Sequence, residues 1–435
     1  MVTNRIGIIA DDLTGANDSG VQLAKKGLSS TVVLDYRKSD IHSNSDVLIV
    51  DTNSRAIGEY QAYEATIQAA SLLLQKGYQH LYKKVDSTLR GNIAVELAAV
   101  ESVYQPEVIV IAPGFPKLNR QTIQGHHYVN GTLITGTEFA KDPKTPVKES
   151  FIPTLLQGDS YRKIALVDSA LLKQPTVKVT ESIHISIQEG HTWFVCDSET
   201  EVDLKKIAEV FTGLNKRVIW AGSAGLIEYL PEALRLTCSV GKEQESLLSE
   251  KTLTVSGSLS EVTKQQLLKV EGLSESFFIE VDPIELVNQT FDVKHYSKKI
   301  REQLDKNHFV LYVDGSKHNR LAAKKAGEDI GLTLTEVSEL ISKGLGLISK
   351  ELLSTFADIN GLVLTGGDTA KAVCSELEIT EMDLYSEVEP GLPFGKLRSE
   401  EKSYWAVTKA GGFGNERSLV KALTFMTSKR KVEQI

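Results

Sequence analysis

Cysteine is scarce in this chain. The three present, Cys196, Cys238 and Cys374, stand far apart in 435 residues, which excludes a disulfide framework and a paired metal site. Buried thiols in a reducing compartment are expected instead. Basic residues are not in excess: Lys and Arg number 49 against 57 Asp and Glu, giving a formal net charge of −8 without any block of like charge. A nucleic-acid partner, whose footprint is a basic face, is therefore not expected, although a few local cations suffice for a small anion. No apolar run reaches the length of a membrane span, and no charged-then-apolar leader opens the chain. A cytoplasmic protein without a membrane partner is the expectation. Two common phosphate-binding signatures, G-x-x-x-x-G-K-[ST] and G-x-G-x-x-G, are missing as well.

What is present is the composition of a globular protein rather than a disordered one, 41% hydrophobic and 24% charged. The length exceeds one ordinary core, so two domains are expected. Short β-branched runs alternate with amphipathic stretches. The candidate strands "RIGIIA" (5–10), "STVVL" (30–34), "DVLIVD" (46–51), "HLYKKV" (80–85) and "EVIVIAP" (107–113) are separated by helical spacing over 16–27 and 60–77. Strands alternating with helices predict an α/β fold, each domain on a mainly parallel sheet with flanking helices. Residues 114–160 break the rhythm with Gly, Pro, Thr and Asn and a hairpin signal at "VNGT" (129–132), the mark of a binding loop or lid. A polar stretch over 235–252 is taken as the link between a first domain, 1–238, and a second, 250–435.

Ligands of open parallel sheets bind where strands end. "IIADDLTGANDSG" (8–20) places Asp11 and Asp12 at such an end, where two carboxylates suit a substrate hydroxyl, its proton or a cation better than a helix cap alone. "KKVDSTLRGN" (83–92) ends another strand with Lys84, Asp86, Ser87 and Arg90, a set suited to a hydroxylated acid: the Arg fork takes a carboxylate and Asp and Ser bond hydroxyls. "DTNSR" (51–55) offers Arg55, though solvated turn residues explain that stretch slightly better. Arg120 and the adjacent His126 and His127 invite a metal or acid–base role, but neighbouring side chains on an extended strand diverge, so structural or substrate-edge histidines are expected and no metal site. In the second half, "VSGS" (255–258), "LTGGDTA" (364–370) and "KAGGFGN" (409–415) are Gly-rich turns from strand to helix. Each alone is weak; three together suggest a phosphate or nucleotide cradle. A carboxylate site in one domain and a phosphate cradle in the other is the division that phosphoryl transfer needs.

These stretches, with "APGFPKLNRQTIQGHHYVNG" and "TEFAKDPKTPV", resemble in order the motifs of the four-carbon acid sugar kinase family over about residues 5 to 420. The resemblance implies ATP-dependent phosphorylation of the 4-hydroxyl of a tetronate, with Mg2+, in a cleft between an acid-sugar-binding domain and a nucleotide-binding one. "GANDSGVQLAKKG" and "HHYVNG" look closest to the D-threonate branch. The implied substrate residues are Asp11 or Asp12, Arg55, Lys84, Val85, Asp86 and Ser87, and the nucleotide residues Ser256, Gly366, Gly367, Asp368, Thr369 and Gly412. In the mechanism expected on this basis Asp12, or Asp11, is the base, Lys84 offsets phosphoryl charge, and Arg55 or Arg90 holds the carboxylate. D-Erythronate or 3-oxo-tetronate are alternative substrates, and a non-catalytic sensor of sugar acid and nucleotide is the rival from another class. A homo-oligomer is compatible with the sequence, which does not fix the oligomeric state.

Overall fold

A computed structural model describes residues 4–37, 41, 43–142, 144–157, 162–236, 245–247, 249–428 and 430–432. Cys238 and residues 237–244 of the link lie outside the described residues, while Cys196 and Cys374 are free and buried. The chain divides into two units, 1–240 and 241–435.

In the N-terminal unit the strands are β1 (Ile6–Ala10), β2 (Ser30–Val33), β3 (Val47–Asp51), β4 (His80–Lys84), β5 (Val108–Ala112), β6 (Arg120–Ile123), β7 (His126–Val129), β8 (Thr132–Leu133), β9 (Ile164–Val167), β10 (Trp193–Cys196) and β11 (Val218–Gly222). Eight of them form a parallel sheet in the order β2-β3-β1-β4-β11-β5-β10-β9. Its central strands are apolar without alternation, as expected where helices cover both faces; β1 is buried at every residue. The register does the positioning. Ala10 pairs with Asp51 on one side and Lys84 on the other, and Lys84 with Gly222, so β1, β3, β4 and β11 end level and their following residues emerge at one edge.

Helix α1 (Leu13–Ala24) starts three residues earlier than the sequence spacing predicts, and Thr14-Gly15 is its first turn rather than a turn ahead of it. The cause is Asp12, whose carboxylate accepts the Gly15 N–H at 2.8 Å and caps the helix. Helix α2 (Glu59–Gln75) buries Ala62, Thr66, Ala69 and Leu73 at helical spacing, and α3 (Ile93–Tyr104) follows β4. The segment after β5 is less irregular than its composition suggests. β6, β7 and β8 form an antiparallel sheet whose Asn130-Gly131 turn, both at positive φ, is the expected hairpin.

The C-terminal unit has β12 (Glu245–Leu247), β13 (Lys251–Ser256), β14 (Ser276–Glu280), β15 (His308–Tyr312), β16 (Ile359–Thr365), β17 (Glu381–Glu387), β18 (Pro393–Arg398), β19 (Ser403–Lys409) and β20 (Arg430–Val432). The order β14-β15-β13-β16-β19-β18-β17 is parallel through β19 and antiparallel beyond it, while β12 and β20 pair separately. Phe394 stacks on Trp405 at 5.2 Å between ring centres and anchors the core. Ser256 pairs with Thr365 and Thr365 with Lys409, so the three Gly-rich turns also emerge level.

Candidate active site

At the strand ends of the N-terminal unit, Asp11 is almost wholly buried at 1% exposure. It survives there because Arg55 closes a two-pronged fork on it, Nε to Oδ2 at 2.9 Å and Nη2 to Oδ1 at 2.8 Å. The same guanidinium donates from Nη1 to Asp12 Oδ2 at 2.7 Å. Arg55 is carried by the turn after β3, which is tied down by three bonds: the Arg55 N–H donates to Asp11 O, Thr52 Oγ1 donates to Ala10 O, and Ser54 Oγ donates to Glu96. Behind the pair lies a second one, Lys83 Nζ to Glu96 Oε2 at 2.9 Å, with both side chains shut off from solvent. Burial alone would raise the Asp11 carboxyl, but Arg55, Lys83 and Lys84 outweigh it and hold it below its ordinary value. Asp12 goes the other way: burial and the neighbouring Asp11 charge raise it despite Arg55. Two adjacent carboxylates are thus split into a fixed anion and one poised nearer neutrality. That is the arrangement in which one of them serves as a base.

Lys84 ends β4 and donates from Nζ to Val85 O at 2.9 Å. A Cβ on Gly15 would stand 2.9 Å from Lys84 Nζ and 2.8 Å from Asp12 Oδ1, so ammonium and carboxylate lie against the bare backbone of the same helical turn. Asp86 accepts from Thr88 Oγ1 at 2.5 Å and from Arg90 Nε at 2.6 Å. Burial would raise its carboxyl, yet Arg55 and Arg90 drive it well below the usual range. Arg90 also reaches Asp142 at 3.2 Å. Both arginines to which the sequence gives the substrate carboxylate are therefore ion-paired within the protein. Ser87 is buried and receives a hydrogen bond from Arg120 Nη1, while its carbonyl accepts from His127 Nε2 at 2.9 Å. His127 is completely buried, and burial pushes its imidazole down to about 4, so it is neutral. His126 points away from it, against Phe151.

In the C-terminal unit, Ser256 ends β13 with a buried hydroxyl that has no hydrogen-bond partner among the described residues. Gly257 follows so close to the next turn that a Cβ would lie 2.6 Å from Thr369 Oγ1. Gly366, at φ +100°, caps the helix Gly367–Glu376, whose first turn carries Asp368 and the buried Thr369. Around Gly367 and Gly412 a side chain would meet nothing within 4 Å. Bare backbone at a helix N-terminus, open space above it and an unsatisfied hydroxyl are what a phosphate chain requires. Lys409 lies beneath the third turn. Its Nζ donates to the carbonyls of Ala410, Gly411 and Phe413 at 2.9, 3.0 and 3.3 Å, and burial lowers it to about 8.

Residues 6–230 match the model of a sugar-binding N-terminal domain and residues 253–419 that of a nucleotide-binding C-terminal domain. A D-threonate kinase of Salmonella typhimurium is 32% identical over 426 residues, covering 96% of this chain and 97% of that protein. The chain belongs to the four-carbon acid sugar kinase family. It is a phosphotransferase with an alcohol group as acceptor. A D-erythronate kinase of Heliobacterium modesticaldum is 28% identical (97% of each chain), and a 3-oxo-tetronate kinase of Actinobacillus succinogenes is 25% identical (94% and 97%). A crystal structure from Haemophilus influenzae shares the fold at a TM-score of 0.79, with 23% identity, 97% of this chain and all of that one covered.

The sequence reading missed several parts of these two clusters. Lys83–Glu96 is one; a lone acid inside the apolar "IAVELAAV" (93–100) was its signal. Lys409 is another, a lysine ending an apolar strand as Lys84 does. Asp197 is a third: it accepts the Gln124 and Gly125 N–H groups at 2.8 and 2.9 Å and so clamps the β6–β7 turn to the sheet, a contact with no local signature. Among the described residues no helix is long and apolar enough to cross a membrane.

Proposed function

We propose that this kinase transfers the γ-phosphoryl group of ATP to the 4-hydroxyl of D-threonate, giving D-threonate 4-phosphate and ADP. The observation that carries the proposal is the split carboxylate pair at the strand ends of the sugar-binding unit. Asp12, the raised and more exposed of the two, accepts the proton of the substrate hydroxyl as its oxygen forms the new P–O bond. Asp11 stays ionised and, through the shared Arg55 guanidinium, keeps Asp12 aimed. Lys84 Nζ beside Asp12 offsets charge developing on the phosphoryl oxygens. Val85, Asp86 and Ser87, with Arg90 bracing Asp86, line the sugar hydroxyls. Ser256, the Gly366-Gly367-Asp368-Thr369 turn and Gly412 hold the nucleotide. ATP arrives with Mg2+, which neutralises phosphate charge.

An ADP-release assay with Mg-ATP against D-threonate, D-erythronate, their L-isomers and 3-oxo-tetronates tests this. Turnover confined to D-threonate, or fastest with it, is expected. Preference for D-erythronate or a 3-oxo-tetronate would move the substrate within the family, and binding of sugar acid and nucleotide without ADP release would favour a sensor.

A further inference from the structure

Three arginines reach the polar end of the N-terminal unit, and one of them lacks what the others have. Arg55 is closed on Asp11 and Asp12, and Arg90 on Asp86 and Asp142. Arg120 has no carboxylate within ion-pair distance among the described residues. Its side chain donates from Nη1 to the Ser87 hydroxyl, and its buried Nε has no partner among the described residues. Its surroundings fit this description. Burial and the Arg90 charge lower the Arg120 guanidinium despite the opposing fields of Asp86, Asp18 and Glu138, whereas ion-paired carboxylates raise those of Arg55 and Arg90. A largely desolvated cation without a directly paired carboxylate costs free energy unless a ligand supplies one.

The side chain is also held where such a ligand would meet it. Arg120 opens β6, exchanges backbone hydrogen bonds with Phe115 at 2.7 and 3.2 Å, and pairs with Val129 of β7. The β6–β7 turn is clamped by Asp197. Ser87, the group that receives Arg120, is itself fixed by neutral His127. Asp86, the acid next to Ser87, is already occupied by Thr88 and Arg90. Asp18 and Glu138 act on Arg120 only through space, so among the described residues no carboxylate is paired with it.

We propose that Arg120 receives the carboxylate of the sugar acid and sets the preference for acids over neutral polyols and amides. The inference rests on the kinase reading above and reassigns the carboxylate from Arg55 and Arg90, whose donors are committed to the protein.

The test compares wild type, Arg120→Gln and Arg120→Lys on D-threonate and on its neutral primary amide, with KM and kcat for each. Losing a charge-assisted fork is expected to raise the KM for D-threonate about 100-fold in Arg120→Gln. The KM for ATP and the parameters for the amide should stay within about twofold of wild type, and Arg120→Lys should recover about tenfold. Equal losses on acid and amide, or a fall in kcat at unchanged KM, would overturn the proposal and leave Arg120 as a support for Ser87. Should Arg120→Gln not fold, Arg120→Lys decides alone through the same acid-to-amide ratio. If wild type turns over no tetronate, the kinase reading fails separately. Calorimetric binding of D-threonate to wild type and Arg120→Lys then still answers for Arg120: weakened binding supports it, and equal binding overturns it.

Discussion

Replacing Arg55 by methionine keeps most of the volume of the side chain and removes the guanidinium that is hydrogen-bonded to both carboxylates. Three hydrogen bonds of 2.7 to 2.9 Å disappear. The cost is unequal on the two sides. Asp12, with a quarter of its side chain exposed, regains water, whereas Asp11, at 2% side-chain exposure, does not. Breaking a buried pair from one side costs about 3–5 kcal/mol, and Lys83 and Lys84 remain to soften it, so a loss of about 3 kcal/mol is expected. That lowers the midpoint of a unit this size by roughly 6–12 °C. Adding Asp11→Asn removes the orphaned charge and should recover more than half of the loss. The pH response reverses as well. In wild type Asp11 sits below its ordinary 3.8, so its contribution is present above that value and is lost as pH falls through the folded one. Without Arg55 burial wins and the Asp11 carboxyl rises, so on going from pH 7 to pH 5 the variant gains stability relative to wild type. Urea unfolding followed by tryptophan fluorescence in a Trp405→Phe background reads this unit, since Trp193 and Trp220 are both fully buried in it. A loss below about 1 kcal/mol, or a double variant no more stable than the single one, would refute the reasoning.

Asp12→Asn is expected to lower kcat by about 10²–10⁴ while ATP binding, followed by calorimetry, is unchanged; wild-type kcat should fall as pH drops through the raised Asp12 value. Activity surviving in that variant would transfer the base role to Asp11 or Asp86. Gly257→Ala places a methyl 2.6 Å from Thr369 Oγ1 and should weaken ATP about tenfold through an overpacking cost of ~1–3 kcal/mol, with D-threonate binding unaffected; equal affinity for ATP would show that this turn does not hold the nucleotide. His127, neutral and lowered to about 4, contributes stability that is full above its unfolded value of 6.5 and lost as pH falls to about 4. His127→Gln should therefore lose roughly 3 kcal/mol less than wild type between those limits, and parallel pH curves by urea titration would count against a buried neutral imidazole.

Much of the fold was legible because its signals are local. An unbroken apolar run such as "IGIIA" or "VIVIA" must be covered on both faces, and Ala62, Thr66, Ala69 and Leu73 share one side of a helix whatever the rest of the chain does. Asn130-Gly131 announces its own hairpin through two residues that tolerate positive φ. Asp11 and Asp12 were also legible, since charge directly after a buried strand is expensive enough to need a reason. The start of α1 was misjudged because a cap is a competition: Asp12 satisfies the Gly15 N–H and so draws Thr14-Gly15 into the helix.

The sequence by itself therefore determined the parallel α/β units, the strand ends where chemistry gathers, and the family to which the motifs belong. Tertiary structure alone decided which cation meets which anion. Arg55 lies 44 residues from Asp11, Glu96 is 13 from Lys83, and Arg120 is 33 from Ser87, and nothing in those spacings distinguishes an arginine spent on the protein from one left for a ligand. The sheet register that brings Ala10 level with Asp51 and Lys84 does. Charge pairing depends on separations of a few ångströms, which chain order does not encode and a shared strand edge does.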